Sequence, residues 1–264
     1  MKRCKFFLVV LLMNAAAPTA HAAIDFSGKK ADVSQGLAEP SRTIPFGEHL
    51  VYEVFWMGVS VGTGELSVKE KTQINGRDCF HVVALAETNN FLSRIYPVHD
   101  EVHSWIDAHS LQSLQFEKKV SEGFYRADER VVYDEQKKKG YYESLKNGGK
   151  KEFGVAVPVH DILSAFFWVR RQRLVPGSAV KTLVNSDEKD WGLEIEVLRR
   201  EQKELRGKGV FDTILIEPKT RLKGVLEKRG RVWIHLQNDA TRVPVLVTFK
   251  TGFGPIVGVL RKDL

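Results

Sequence analysis

The stretch DILSAFFWVRRQ, residues 161–172, restricts the fold of this chain more than any other segment. From Ile162 to Val169 it is apolar on nearly every side. Asp161 stands where a helix N-cap belongs, Arg170, Arg171 and Arg173 suit the negative end of a helix dipole, and Pro176-Gly177 stops the run. The pattern predicts one helix, about Asp161–Gln172. A helix that is apolar most of the way round cannot lie on a surface, so other elements must enclose it. Elsewhere the dominant period is two, as in Leu50–Trp56, Glu65–Lys69, Cys79–Ala86, Val98–Ile106, Leu114–Val120 and Arg130–Tyr133. It returns in Leu193–Leu198, Thr213–Glu217, Val232–Leu236, Val243–Phe249 and Ile256–Leu260. Asn75-Gly76 and Asn147-Gly148-Gly149 are hairpin-turn signals. Several of these strands are apolar on both faces. The expectation is a mainly β fold: a curled antiparallel sheet, an incomplete barrel or β-spiral, wrapped around one central α-helix.

Residues 1–22 read as a secretory signal peptide. Lys2, Arg3 and Lys5 form a cationic start, Phe6–Met13 a short apolar core, and Ala20-His21-Ala22 a small-residue cleavage site. The apolar run falls well short of the roughly 20 residues that span a bilayer. Cys4 precedes that run and so cannot be the lipid-modified cysteine of a lipoprotein. The predicted location is the periplasm, with no transmembrane segment in the mature chain. Forty basic and 33 acidic side chains give +7; loss of Lys2, Arg3 and Lys5 leaves 37 against 33, or +4. The clusters Lys137–Lys139, Lys150-Lys151 and Arg170–Arg173 adjoin acids or end an apparent element and read as solvated faces or turns. Nucleic-acid binding would need a concentrated basic stripe, which is not there. Only Cys79 survives cleavage, so there is no disulfide framework, and its apolar surroundings predict a buried structural thiol. Residues 23–43 lack periodicity and read as a flexible N-terminal arm. No linker or alignable repeat divides 44–264, which is read as a single β-rich domain.

The motifs that could carry chemistry are weak. His99 and His103 in HDEVH lack the metalloprotease register, and four residues on a strand span about 13 Å, against about 3.4 Å between two nitrogens on one zinc. A solvated polar face is the reading there. KNGGKKEF lacks the first glycine and the hydroxyl residue of a phosphate loop and reads as a turn; there is no Gly-x-Ser-x-Gly elbow, and Glu194 and Glu196 share one solvent-facing strand face. The expectation is a non-enzyme with no catalytic residue, metal or cofactor. Aromatic side chains inside a curled sheet either complete its core or line whatever cavity is left. Tyr52, Trp56, Ile162, Phe166, Phe167 and Trp168 are the residues placed to do this. Near the C-terminus the apolar period breaks at Asn238–Arg242 and resumes at Val243. This predicts a hairpin connection in which Asp239 accepts turn N–H groups and pairs with Arg242, and Pro244 sits at an edge or a strand start.

Three stretches together, IPFGEHLVYEVFWMGVSVGTGELSV (44–68), VPVHDILSAFFWVRRQRLVPG (157–177) and VWIHLQNDATRVPVLVTFKTGFGPIVGVL (232–260), resemble an exported bacterial family known only as a domain of unknown function (DUF 3108). The resemblance rests on Gly47-Glu48 before an aromatic strand, Gly58 to Gly62 in the following turn, Asp161 with Arg170 on the helix, and Asp239, Arg242 and Pro244. It implies a β-rich fold similar to the periplasmic lipoprotein carrier and receptor proteins (LolA/LolB-like), in which a curved sheet holds an apolar cleft. It thereby implies a lipid, acyl-chain or lipoprotein partner in envelope maintenance. An envelope protein partner bound without any small ligand is the alternative reading, and an enzyme acting on cell-wall polymers is the third.

Overall fold

The alternating segments pair into one antiparallel sheet. The computed structural model describes residues 43–220 and 230–261; the predicted signal peptide and all but the last residue of the arm lie outside them. Among the described residues there are fourteen strands and one α-helix. They run β1 (His49–Trp56), β2 (Val59–Ile74), β3 (Arg77–Thr88), β4 (His99–Asp107), β5 (Ser113–Glu122), β6 (Tyr125–Asp134), β7 (Lys139–Ser144), β8 (Lys150–Gly154), helix α1 (Ile162–Arg170), β9 (Ala179–Ser186), β10 (Lys189–Leu205), β11 (Gly209–Thr220), β12 (Arg231–Gln237), β13 (Pro244–Thr251) and β14 (Gly254–Leu260). Sheet order is β8 down to β1, then β14 down to β9. The two meanders join where Tyr52 lies opposite Leu260 and Trp56 opposite Ile256.

A ladder between β8 and β9 would close this sheet into a barrel, but the sheet ends at those two strands. Side chains and the connection 155–161 bridge the seam instead. Asn185 N–H donates to the His160 carbonyl at 2.7 Å, Ala156 N–H to Asp190 Oδ2 at 2.6 Å, and Tyr133 hydroxyl to Asn185 Oδ1 at 3.2 Å. Lys151 and Glu188 pair across it. Helix α1 follows this connection and enters the concave side. Leu163 and Phe167 are buried against Leu50, Tyr52, Leu66, Phe80, Val82 and Val102 of the first meander. Val169 and Leu174 pack on Ile195, Val197, Ile214 and Leu236 of the second. One helix thus fills the space between two halves of a curled sheet, as its all-round apolarity requires. Each fully buried Leu or Phe contributes about 1.5–3 kcal/mol.

Local signals explain most boundaries. Met57 and Gly58, Asn75 and Gly76, and Asp187 and Glu188 each pair two positive φ values, the type I′ hairpin signature. Gly62 is needed for a different reason: a Cβ there would lie 2.0 Å from the Glu87 carbonyl oxygen. The helix is shorter than expected, ending at Arg170; the N–H groups of Arg171 and Gln172 bond back to Trp168 and Val169 in a tightened last turn. β7, β8 and β9 are not among the predicted strands. KGYYES and KKEFG carry too much Lys, Glu and Gly to show alternation, so KNGGKKEF is a turn only as far as Gly149. Cys79 is fully buried in β3, and burial pushes its thiol pKa up to about 11, as an inert core cysteine requires.

The break at Asn238–Arg242 is a hairpin connection. Asp239 Oδ1 accepts from Thr241 N–H at 2.9 Å, Thr241 hydroxyl at 2.6 Å and Arg242 N–H at 3.0 Å, which holds Arg242 at φ 53°. The expected side-chain pairing of Asp239 with Arg242 is corrected: the Arg242 guanidinium is buried and donates to Asn238 Oδ1 at 3.2 Å. Pro244 is the first residue of β13, where its missing N–H costs no ladder bond. Asp239→Ala removes turn bonds on an exposed loop. It is expected to cost about 1 kcal/mol, read as a melting temperature about 2–4 °C lower.

Candidate functional site

Helix α1 is held at both ends by buried charge. At its N-terminus Asp161 closes a capping box with Ser164. Its Oδ1 accepts Leu163 N–H at 2.7 Å and Ser164 N–H at 2.9 Å. Its Oδ2 accepts the hydroxyls of Ser104 on β4 and Ser113 on β5, both at 2.5 Å. Burial raises the pKa of this carboxyl above its ordinary value, and these four donors oppose the rise. At the C-terminus the Arg170 guanidinium forms a two-pronged pair with Glu48, both bonds 2.6 Å. It also donates to the Thr241 carbonyl at 2.8 and 3.1 Å and lies 5.0 Å from the Phe167 ring centroid.

Arg170 therefore corrects the reading of Arg170–Arg173 as a solvated turn. It is buried, together with Glu48, because it ties three distant parts of the chain into one node. Glu48 lies 122 residues before it and Thr241 lies 71 residues after it. Gly47-Glu48, Arg170 and the Asp239–Pro244 connection, singled out separately in the sequence, converge here. Tyr52 adds to the node: its buried hydroxyl donates to the Pro244 carbonyl at 2.8 Å, and burial pushes the phenol pKa far above its usual value. The cleft beside the node, lined by Ile44, Pro45, Phe167, Arg170 and Thr241, measures only about 10 Å³, no more than one water.

Of the predicted lining residues, Tyr52 and Phe167 are core. Ile162, Phe166 and Trp168 pack against the same cluster but stay half-buried. Ile162 and Phe166 are one helical turn apart and share a face. Trp56 is not with them. It packs in the neighbouring cluster of Val54, Val61, Val98, Val232, Phe249 and Ile256, alongside half-buried Tyr96, Ile234 and Val247. The inner face is thus largely apolar, but it carries charged groups away from the two helix anchors as well: Lys118 on β5, opposite Val102, pairs with Glu129 at 3.0 Å and Asp187 at 3.7 Å, and Asp100 on β4 is buried. Among the described residues no group of three or more His, Cys, Asp or Glu could hold a metal ion.

His160, next to the N-cap, was not anticipated. It is buried at the seam, with Nδ1 3.1 Å from the Leu111 carbonyl and its ring 5.8 Å from that of Trp168. Burial lowers its pKa to about 4. The folded state keeps it neutral, whereas the unfolded chain protonates it below about pH 6.5. Its contribution is fully present above about pH 6.5 and is lost as pH falls toward 4, about 3 kcal/mol in all. Urea denaturation across that range should show a pH slope in His160→Gln smaller by close to one proton; an unchanged slope would rule this out. On the outer face the HDEVH reading also changes. His99 is exposed beside Glu87, but His103 stacks with His81 and Trp105, with His81 Nε2 2.9 Å from His103 Nδ1. Sequence spacing could not reveal that partner, since only strand register brings β3 and β4 together.

Three comparisons bear on this architecture. A family model described as "Protein of unknown function (DUF3108)" matches residues 51–261. Comparison with curated proteins gives no match. Among solved structures, the chain is similar to the crystal structure of a β-barrel-like protein of domain of unknown function DUF1849 from Brucella abortus. The identity is 11%, the TM-score is 0.53, and the alignment covers 83% of this chain and 98% of that one. At that identity the likeness speaks for the fold alone.

Proposed function

The chain belongs to the DUF3108 family of proteins of unknown function, and on that footing we propose that it is a non-enzymatic periplasmic protein that binds an apolar ligand. The ligand class is a lipid, an acyl chain or the acylated part of a lipoprotein, held against the inner face of the open sheet. One observation carries this reading: a helix inserted in a curled sheet leaves Ile162, Phe166 and Trp168 only half-buried. Affinity would come from apolar burial, at about 25 cal/mol per Å² before association costs. The periplasmic setting is supported by the leader pattern of residues 1–22.

The test is what the purified protein carries and takes up. Mass spectrometry of an organic extract is expected to find lipid. Titration with oleate or phospholipid is expected to shift tryptophan emission to the blue, with Trp168 the reporter beside the proposed site. Phe166→Ser should weaken that response while leaving the melting temperature within a few degrees. An extract free of lipid, together with emission that does not move, overturns the reading.

A further inference from the structure

Among the described residues the wall of the sheet is laddered everywhere but at one place. Each neighbouring pair from β8 round to β9 is joined by backbone hydrogen bonds, while β8 and β9 themselves are not. What stands against β8 is the tip of the β9–β10 hairpin. Glu188 pairs with Lys151, Asp190 Oδ2 accepts Ala156 N–H at 2.6 Å, and Asp187 Oδ1 comes to 3.7 Å from Lys118 Nζ on the inner face. The charges are sorted to fit. Within β8, Lys150 and Glu152 turn back to Glu143 and Lys139 of β7, on the laddered side, and it is Lys151 that reaches across. Three acids of the tip thus meet two lysines and one backbone N–H.

Other ways to the inner face are occupied. At the node end the cleft beside Arg170 measures about 10 Å³. Away from the node, Trp56, Val54 and Val98 of the first meander pack in one cluster with Val232, Phe249 and Ile256 of the second. Between laddered strands, entry would break backbone bonds. At the tip it breaks two ion pairs and one bond from backbone to side chain, and ion pairs between partly exposed groups hold weakly and are screened by salt. Deeper in the seam Asn185 keeps β9 tied to the His160 carbonyl and the Tyr133 hydroxyl. The His160 ring lies 5.8 Å from that of Trp168, so the seam leads to the half-buried face of the helix.

On the reading of the inner face as a lipid site, we propose that the tip of the β9–β10 hairpin, residues 186–190, is an electrostatic latch on a lateral gate through which the acyl chain enters. Unlatching moves the tip off β8 and leaves the β9–β10 ladder whole, so the hairpin end moves as one piece about Asn185. A fully laddered barrel would have no such place to part. The gate is a local opening of the kind that lids and binding loops use, confined to the part of the wall with the fewest backbone bonds.

The experiment times oleate uptake by the protein, secreted from its full-length sequence, as the shift of tryptophan emission after stopped-flow mixing. Lys151→Cys with Glu188→Cys removes the latch pair, and uptake should be about two- to fivefold faster than wild type, the weight of a partly exposed ion pair. Bridging the two thiols with a bis-methanethiosulfonate reagent should slow the same molecule at least about tenfold, and reduction should restore it. Cys79 is buried and does not meet the reagent. The same bridge between Lys139→Cys and Glu152→Cys, on laddered strands, should leave the rate unchanged. Glu188→Lys, which sets like charges face to face, should speed uptake with no reagent present. Without any lipid, hydrogen exchange of the tip amides should be faster in Glu188→Lys than in wild type and should rise with salt. Oleate uptake indifferent to the 151–188 bridge, or slowed equally by the 139–152 bridge, overturns the gate and leaves the lipid site standing. Emission that moves in no form, while exchange at the tip responds as expected, overturns the lipid reading and the gate with it.

Discussion

Arg170→Ala is expected to lower stability by about 3–5 kcal/mol, the largest effect of any single substitution at the node, because it leaves the Glu48 carboxylate buried without its partner. The truncation also withdraws two bonds from the Thr241 carbonyl and the cation from beside the Phe167 ring. The pair itself is less stabilising than that loss suggests, since both charges were taken out of water to form it. The two statements are separable. Glu48→Leu combined with Arg170→Met removes both charges and should recover a large part of the loss, as urea denaturation would measure. If Arg170→Ala costs less than about 1 kcal/mol, the node is solvated in solution and its role as a tie between the helix and both meanders is wrong.

That node marks where sequence reasoning stops. Period two was visible in Leu50–Trp56 or Val243–Phe249 because each of those strands has a buried face, and Asn75-Gly76 announced its hairpin through positive φ. The enclosed helix was legible because no surface could accommodate Ile162–Val169. The partner of Arg170 was not legible. An arginine is ordinarily exposed, and nothing local distinguishes Arg170 from Arg171 or Arg173; Glu48 identifies itself only when strand β1 and helix α1 meet. The same holds for His81 and His103, and for Ser104 and Ser113, which look like ordinary strand residues until Asp161 lies against them. Strands β7 and β8 escaped for a different reason, being short, near an open seam and too polar to alternate; β9, AVKTLVNS, is as long as β1 but shows no clean alternation.

Asp161→Ala should be the second severe substitution, costing on the order of 4 kcal/mol from a lost N-cap and two stranded hydroxyls. The cap contributes because Leu163 and Ser164 N–H groups have no intrahelical acceptor and are buried away from water. The hydroxyls add to it because Ser104 and Ser113 are fully buried and both donate to Oδ2. Asp161→Asn separates these roles. Its side-chain oxygen can still accept from the helix, and its amide can donate to serine hydroxyls that have rotated to accept, so it should retain most of the stability that alanine loses. A triple variant, Ser104→Ala and Ser113→Ala with Asp161→Asn, should then cost more than Asp161→Asn alone, because the amide would lose its acceptors. If alanine and asparagine destabilise equally, the negative charge at the helix N-terminus is what matters, and the dipole would replace the hydrogen-bond set as the explanation of this anchor.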